Sequence, residues 1–257
     1  MSRRPTAHRI VAAVAVAVMM TAATRASAET VTMSFSKTTG TAPVGVTYTI
    51  GGNTTSTSIT PGPYYWQQTG SPMNANFGAS IATFCVELNQ GFPSGSANYT
   101  VNTLAAVKGT ATADAIQKLF ANNYNSAWAS SSFGGSTAST AFQLALWELT
   151  YDGASGALGT GNFKYTGSLT SGVGLAAKNM LAALAGTSSS SFGSLFPGQQ
   201  VVWLSNGSSQ DQIAIITPKV PGGPVPAPPS IILAGLALGT GLFGRVVRRR
   251  KVAEAVS

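Results

Sequence analysis

Histidine and cysteine are the residues that this sequence has least of, with one of each in 257 residues. His8 lies near the amino terminus, in a segment interpreted here as a signal peptide, so the mature chain has no imidazole. This excludes Ser-His-Asp triads, histidine-ligated metal sites and histidine general bases, and we expect neither a metal nor another cofactor. Because Cys85 is alone, no disulfide can form within the chain. Its sulfur forms an intermolecular bond, serves as a reactive thiol or lies buried in the core.

Arginine is absent from the centre of the chain, although the formal net charge is +8. All arginines lie before residue 26 or after residue 244, and between Glu29 and Pro224 six lysines are balanced by six acidic residues. Nucleic-acid binding depends on clustered Lys and Arg side chains that displace counterions from phosphates. The neutral centre therefore excludes nucleic acid as a partner, and the basic ends are interpreted as targeting segments.

The amino terminus, residues 1–28, has the three parts of a secretory signal peptide. Three arginines precede an apolar run over 10–23, and Ala26-Ser27-Ala28 has the small-x-small pattern that signal peptidase reads. The apolar run is too short for a membrane-spanning helix. We predict export with cleavage after Ala28, and an uncleaved amino-terminal anchor is the alternative.

The carboxy terminus has the composition of a membrane-sorting tail. A domain over 29–219 is followed by a proline-rich linker at 220–229, an apolar segment at 230–247 and a basic tail at 248–257 that begins Arg-Arg-Arg-Lys. The apolar segment is predicted to span the membrane once, and the positive-inside rule keeps the basic tail in the cytoplasm.

These three segments together resemble the PEP-CTERM sorting signal of Gram-negative bacteria, with Ala227 where that family has Glu. The resemblance implies processing by an exosortase-like enzyme at the inner membrane. It also implies delivery to the cell surface or the extracellular matrix. A plain single-pass membrane anchor is the alternative.

The hydrophobic pattern changes its period along the domain. Alternating or short apolar segments predict strands at 31–35, 46–50, 80–88, 99–104, 200–204 and 212–217. Helical spacing predicts helices at 112–124, 139–152 and 174–184, and 187–194 is predicted as a Ser-rich loop. The predicted fold class is α+β: an antiparallel β framework of sandwich or barrel type with a three-helix insertion, followed by a single transmembrane helix.

Two short motifs carry the candidate chemistry. Phe84-Cys85-Val86-Glu87 lies on a predicted strand, and residues 141–148 (AFQLALWE) lie on a predicted helix. Together with Gln212 in the last apolar strand, these motifs resemble the thioester domains of bacterial surface adhesins. The resemblance implies an internal thioester between Cys85 and Gln143, with Trp147 completing the helix motif. The sequence has Phe142 where that family usually has Thr.

The implied reaction uses side chains alone. A cysteine thiolate is a strong nucleophile, and the carboxamide of Gln143 offers an acyl carbon that releases ammonia. An amine on a surface partner or a matrix polysaccharide then attacks the thioester and leaves a stable amide bond. Phe84, Phe142 and Trp147 are expected to exclude water from the bond. A nearby carboxyl group, Glu148 or Glu87, is a candidate for moving protons.

Each motif also has an ordinary structural interpretation. A lone cysteine on an apolar strand is usually a buried core residue, which would make the protein a non-catalytic structural component of the extracellular matrix or biofilm. Glu87 and Glu148 could form a glycosidase carboxylate pair, although each is more simply a solvated residue beside a core stripe. The leading prediction is an adhesin-like surface domain, not an enzyme, that binds an amine-bearing partner covalently.

Overall fold

The computed structural model describes residues 29–40, 42–188 and 190–218. The predicted signal peptide (1–28), linker (220–229), apolar segment (230–247) and basic tail (248–257) lie outside these residues. No helix within the described ranges is long and apolar enough to cross a membrane.

A closed barrel of six antiparallel strands forms one half of the domain. Its strands are β1 (Thr30–Thr38), β4 (Tyr64–Gln68), β5 (Ser80–Cys85), β6 (Ser96–Thr103), β8 (Gln200–Ser205) and β9 (Gln212–Ile216). They follow the order β1-β4-β5-β9-β8-β6 around the barrel. Closure pairs every strand on both sides and leaves no exposed edge. The core includes Trp66 and Tyr99, whose ring centroids are 5.7 Å apart.

A separate three-stranded antiparallel sheet has the order β3-β2-β7, in which β2 is Val44–Ile50, β3 is Asn53–Ile59 and β7 is Phe163–Tyr165. Gly51 and Gly52 join β2 to β3 with φ angles of 57° and 83°. Two consecutive positive φ values give the tight turn that suits a two-residue hairpin.

Four helices complete the fold: α1 (Leu104–Asn123), α2 (Thr137–Asp152), α3 (Gly172–Ala183) and α4 (Ser191–Leu195). The three predicted helices do not include α4, which begins within the predicted Ser-rich loop at 187–194. Its Ser and Gly residues carry little helical signal, but Phe192 is buried and fixes the turn in the core. Helix α1 begins at Leu104 instead of 112, because the Thr103 hydroxyl accepts a hydrogen bond from the Ala106 amide (3.3 Å) and caps the first turn.

Helix α2 is enclosed by the rest of the domain, and every residue from 139 to 150 is buried. Ser136 and Ser139 form a reciprocal cap at its start, and Gly153, with φ 78°, ends it by donating its amide to Leu149. A helix that is apolar around its whole circumference is typical of a protein interior. Polar side chains on α2 are therefore shielded from water.

Gly109 interrupts α1 with φ 75° and ψ 165°, a backbone conformation that is almost restricted to glycine. We predict that Gly109→Ala lowers the free energy of unfolding by about 1–3 kcal/mol, since the new Cβ strains this conformation. Urea titration followed by circular dichroism measures the change. Gly95→Ala, at a position without positive φ and with open space for a methyl group, is the matched control. Equal stability of the two variants would contradict the prediction.

Candidate functional site

Strand β5 and helix α2 bring Cys85 and Gln143 into direct contact. Cys85 is the last residue of β5, and Gln143 lies in the second turn of α2; both are 0% exposed. The Gln143 side-chain Nε2 donates a hydrogen bond to the main-chain carbonyl of Cys85 at 2.7 Å. Among the described residues, Gln143 Oε1 has no hydrogen-bond partner. The carboxamide is thus anchored to the cysteine through one atom only.

The thiol of Cys85 is held in a defined orientation. Its Sγ donates a hydrogen bond to the Glu87 carbonyl oxygen at 2.8 Å. Burial raises the pKa of the thiol strongly, and the adjacent Glu87 main chain and Trp147 indole lower it only in part. The thiol is therefore neutral at neutral pH. A neutral buried thiol is protected from oxidants and alkylating agents in solution.

Gln212 lies beside Cys85 because the two residues are register partners between β5 and β9. Its Oε1 accepts a hydrogen bond from the Thr83 hydroxyl at 2.8 Å, and the same hydroxyl accepts one from the Trp66 indole at 2.8 Å. The Gln212 Nε2 donates to the Gln210 carbonyl at 3.1 Å. These bonds fix the barrel wall next to the cysteine. The sequence motif identified Gln212 but gave no indication of Thr83 or Trp66.

Phe84 and Phe142 pack against each other with ring centroids 4.7 Å apart. Their cluster also includes Phe120 and Trp128. Because side chains alternate along a strand, Phe84 and Cys85 point to opposite faces of β5. The two phenylalanines therefore belong to the contact between the barrel and the helices.

Trp147 is one helical turn from Gln143 on the same face of α2 and is 0% exposed. Its ring centroid lies 5.8 Å from that of Phe163. Within the described part of the chain, its indole N–H makes no hydrogen bond of ordinary geometry, although it is close enough to the Cys85 sulfur to favour the thiolate. Of the three aromatic residues expected to exclude water from the bond, Trp147 is therefore the one that interacts with the sulfur.

The expectation that Glu148 is solvated is wrong, because α2 is buried on all sides and Glu148 is 0% exposed. Neither carboxyl oxygen has a hydrogen-bond partner among the described residues. A Cβ added at Gly156 would clash with Glu148 Oε1, so the loop after α2 covers this group closely. Burial, and to a lesser extent the charge of Asp152, raises the pKa of Glu148 to about 8.

Glu87 differs from Glu148 in being only half-buried. Its Oε2 accepts a hydrogen bond from the Asp211 amide at 3.2 Å. Burial raises the pKa of Glu87; the hydrogen bond from the Asp211 amide lowers it, the Asp211 carboxylate raises it, and Lys108 lowers it. The two glutamates thus occupy different environments, one accessible and one sealed.

No group of three or more His, Cys, Asp or Glu side chains suited to a metal ion occurs in the part of the chain that the structure describes.

The two contacting residues lie in one segment that is similar to a known family. Residues 82–184 match the family model of the thioester domain. The matched segment covers less than half of the chain and contains Cys85 and Gln143, whereas Gln212 lies beyond it. This match supports the thioester-domain part of the resemblance drawn from the two motifs. No curated protein and no solved structure matches the chain.

The buried carboxyl of Glu148 is expected to make stability fall as pH rises. In the folded domain it keeps its proton up to a pKa of about 8, against 4.5 for the ordinary side chain. Between these values the unfolded state binds fewer protons, so the free energy of unfolding decreases with pH. We predict that Glu148→Gln, which mimics the neutral acid, flattens this dependence and stabilises the domain by about 1–3 kcal/mol at pH 7.

Urea titrations at several pH values between the two pKa values test this prediction. The control is Asp114→Asn, which removes one carboxylate from an ion pair with Lys118 on the surface of α1. Parallel stability curves for the wild-type and Glu148→Gln proteins would contradict the assignment of a neutral Glu148.

Proposed function

We propose that the domain is an adhesin-like surface module that forms an internal thioester between Cys85 Sγ and Gln143 Cδ and uses it to bind a partner covalently. The observation that carries the proposal is the buried contact in which the Gln143 carboxamide nitrogen hydrogen-bonds to the Cys85 carbonyl. The family match over 82–184 supports the same chemistry. Two reactive groups that are held together have a large entropic advantage over separate molecules.

Thioester formation joins Sγ to Cδ, expels the Gln143 nitrogen as ammonia and consumes the thiol proton. When an amine attacks Cδ, the C–S bond breaks, an amide forms and the sulfur regains a proton as a thiol. The acyl group is used once, so the domain acts as a single-use reagent and not as an enzyme. The reaction requires no metal or cofactor.

Burial gives the thioester its lifetime before a partner arrives. Water hydrolyses an activated acyl group, and both reacting residues are 0% exposed at the contact between β5 and α2. The buried Trp147 indole, which is near the Cys85 thiol, also helps to exclude water from the contact. The partner must therefore bring its amine into a site from which bulk water is excluded.

The proposed location follows from the ends of the sequence. We propose export by the signal peptide (1–28), followed by retention in the inner membrane through 230–247 or processing by an exosortase-like enzyme. Either outcome leaves the domain on the outer side of the membrane, where a surface protein or matrix polysaccharide with amines is available.

A second candidate function is a structural component of the extracellular matrix. The observation that favours it is the complete burial of Cys85 together with the raised pKa of its thiol, both of which are ordinary for a core cysteine. In this case the Gln143–Cys85 hydrogen bond only fixes α2 to the barrel.

Intact-mass measurement of a recombinant protein spanning residues 29–218 separates the two candidates. We predict a mass deficit of one ammonia, which methylamine converts into an adduct at Gln143. Cys85→Ala and Gln143→Ala should each abolish the deficit and the adduct. Gln67→Ala, which removes an exposed glutamine on β4, should retain both. A wild-type protein with the full calculated mass and no adduct would favour the structural candidate.

Fractionation of cells tests the proposed location. Removal of residues 230–257 should release the domain from the membrane fraction without changing its melting temperature, because the proline-rich linker separates the two. Replacement of the four basic residues at 248–251 with neutral ones should weaken membrane retention. Aggregation or unfolding of the truncated protein would contradict the assignment of this tail to sorting.

A further inference from the structure

We infer that the cleft beside Glu87 is the route by which a cationic amine reaches the Cys85–Gln143 pair, and that the Glu87 carboxylate positions this amine. The inference rests on the proposed thioester and adds to it an entry path, a charge preference for the partner's reactive group and a positioning residue.

One face of α2 connects the reacting pair to the cleft. Gln143, Trp147, Thr150 and Tyr151 have the spacing i, i+4, i+7 and i+8, which places them along one stripe of a helix. At one end of the stripe Gln143 donates to the Cys85 carbonyl. Further along the stripe, the Tyr151 hydroxyl accepts a hydrogen bond at 2.9 Å from the main-chain amide three residues after Cys85. The segment that follows the cysteine therefore runs along this stripe towards solvent.

The cleft opens at the Tyr151 end of the stripe and has a volume of about 300 Å³. Its lining residues come from β2, the segment after β5, α1 and α2: Thr49, Ile50, Val86, Glu87, Asn89, Lys108, Thr150 and Tyr151. The volume is at the lower limit for small-molecule sites and accommodates an aminoalkyl group. Thr150 is about 10 Å along the helix axis from Gln143. Trp147 occupies the turn between them, so its indole is the barrier that an entering amine must displace.

Glu87 is the accessible carboxylate in this cleft, and it is not engaged in a close ion pair. Lys108 also lines the cleft, but its ammonium donates to the Thr150 carbonyl at 3.0 Å and lies 5.0 Å from the centroid of the Trp203 ring. Within the described residues, the one ion pair shorter than 4 Å joins Lys118 to Asp114 on the surface of α1. The Glu87 carboxylate is therefore available to an incoming cation.

The geometry excludes Glu148 from the same role. It is five residues after Gln143, which turns it away from the stripe, and the loop at Gly156 covers its carboxyl group. Glu87 instead belongs to the segment that holds the thiol, since its own carbonyl accepts the Cys85 Sγ hydrogen bond. The structure thus selects Glu87 from the two candidate carboxyl groups.

The proposed step consumes one ammonium ion and the thioester. A primary ammonium ion binds at Glu87 and transfers one proton to the carboxylate, and the resulting amine attacks Gln143 Cδ. The C–S bond then breaks, a second nitrogen proton passes to the Cys85 sulfur and the third remains on the new amide. Glu87 releases its proton to solvent, so the net products are an amide, a thiol and one proton.

A comparison of two nucleophiles tests this role of Glu87. Methylamine is protonated at neutral pH, as a lysine side chain is, whereas hydroxylamine is neutral. In the protein spanning residues 29–218, we expect Glu87→Gln to slow methylamine adduct formation about tenfold, the lower range for electrostatic attraction of a charged reactant. The rate with hydroxylamine and the ammonia mass deficit should stay unchanged. Asp114→Asn is the charge-matched control and should alter neither rate.

The outcomes separate the inference from the proposed function. A wild-type protein without a mass deficit overturns both. A normal deficit with equal effects of Glu87→Gln on the two nucleophiles overturns the inference alone.

If Glu87→Gln fails to fold, salt dependence of the wild-type protein provides the second test. An increase in ionic strength from about 0.05 M to about 0.5 M should slow methylamine and leave hydroxylamine unaffected, because salt screens only the charged encounter. Equal salt effects on both nucleophiles would overturn the role of Glu87.

Discussion

The hydrogen bond from the Gln143 carboxamide to the Cys85 carbonyl joins helix α2 to the barrel. Both residues are fully buried. This hydrogen bond requires that α2 cross the end of β5 at hydrogen-bonding distance. The enclosure of α2 by the barrel, the three-stranded sheet and the other helices meets this requirement. A helix with one solvent-exposed face would admit water to the same contact. The burial of the whole helix is therefore what makes the site chemically distinct.

This burial has a cost that is concentrated near the site. Gln143 Oε1, the Trp147 indole and both oxygens of Glu148 lie on α2 without ordinary hydrogen-bond partners among the described residues. Each unsatisfied buried polar group typically costs about 1–3 kcal/mol. The surrounding aromatic residues of the barrel and helices offset this cost through apolar burial. A thioester would also remove from the buried site the Gln143 amide nitrogen and the Cys85 thiol proton, two groups that must otherwise be hydrogen-bonded there.

The sequence predicts much of this fold because its signals are local. Alternating or short apolar segments identified β1, β2, β5, β6, β8 and β9, and helical spacing identified the positions of α1, α2 and α3. Strand β3 was missed because its Asn, Thr and Ser residues are exposed on both faces and have no apolar alternation. Closure of the barrel depends on pairings between distant strands, such as β5 with β9, which no local pattern encodes.

The candidate site was predictable only in part, for the same reason. The two motifs identified Cys85 and Gln143, and the late strand identified Gln212. The sealed environment of Glu148 depends on a loop that returns over α2, so its sequence neighbours indicated a solvated residue instead. The cleft beside Glu87 is likewise assembled from four separate segments of the chain.

The most direct measurement of the central claim is a high-resolution crystal structure of the protein spanning residues 29–218, prepared without amine buffers. We expect continuous electron density between Cys85 Sγ and Gln143 Cδ, with no density for the Gln143 side-chain nitrogen. A complete carboxamide that keeps its hydrogen bond to the Cys85 carbonyl, next to a separate thiol, would contradict it.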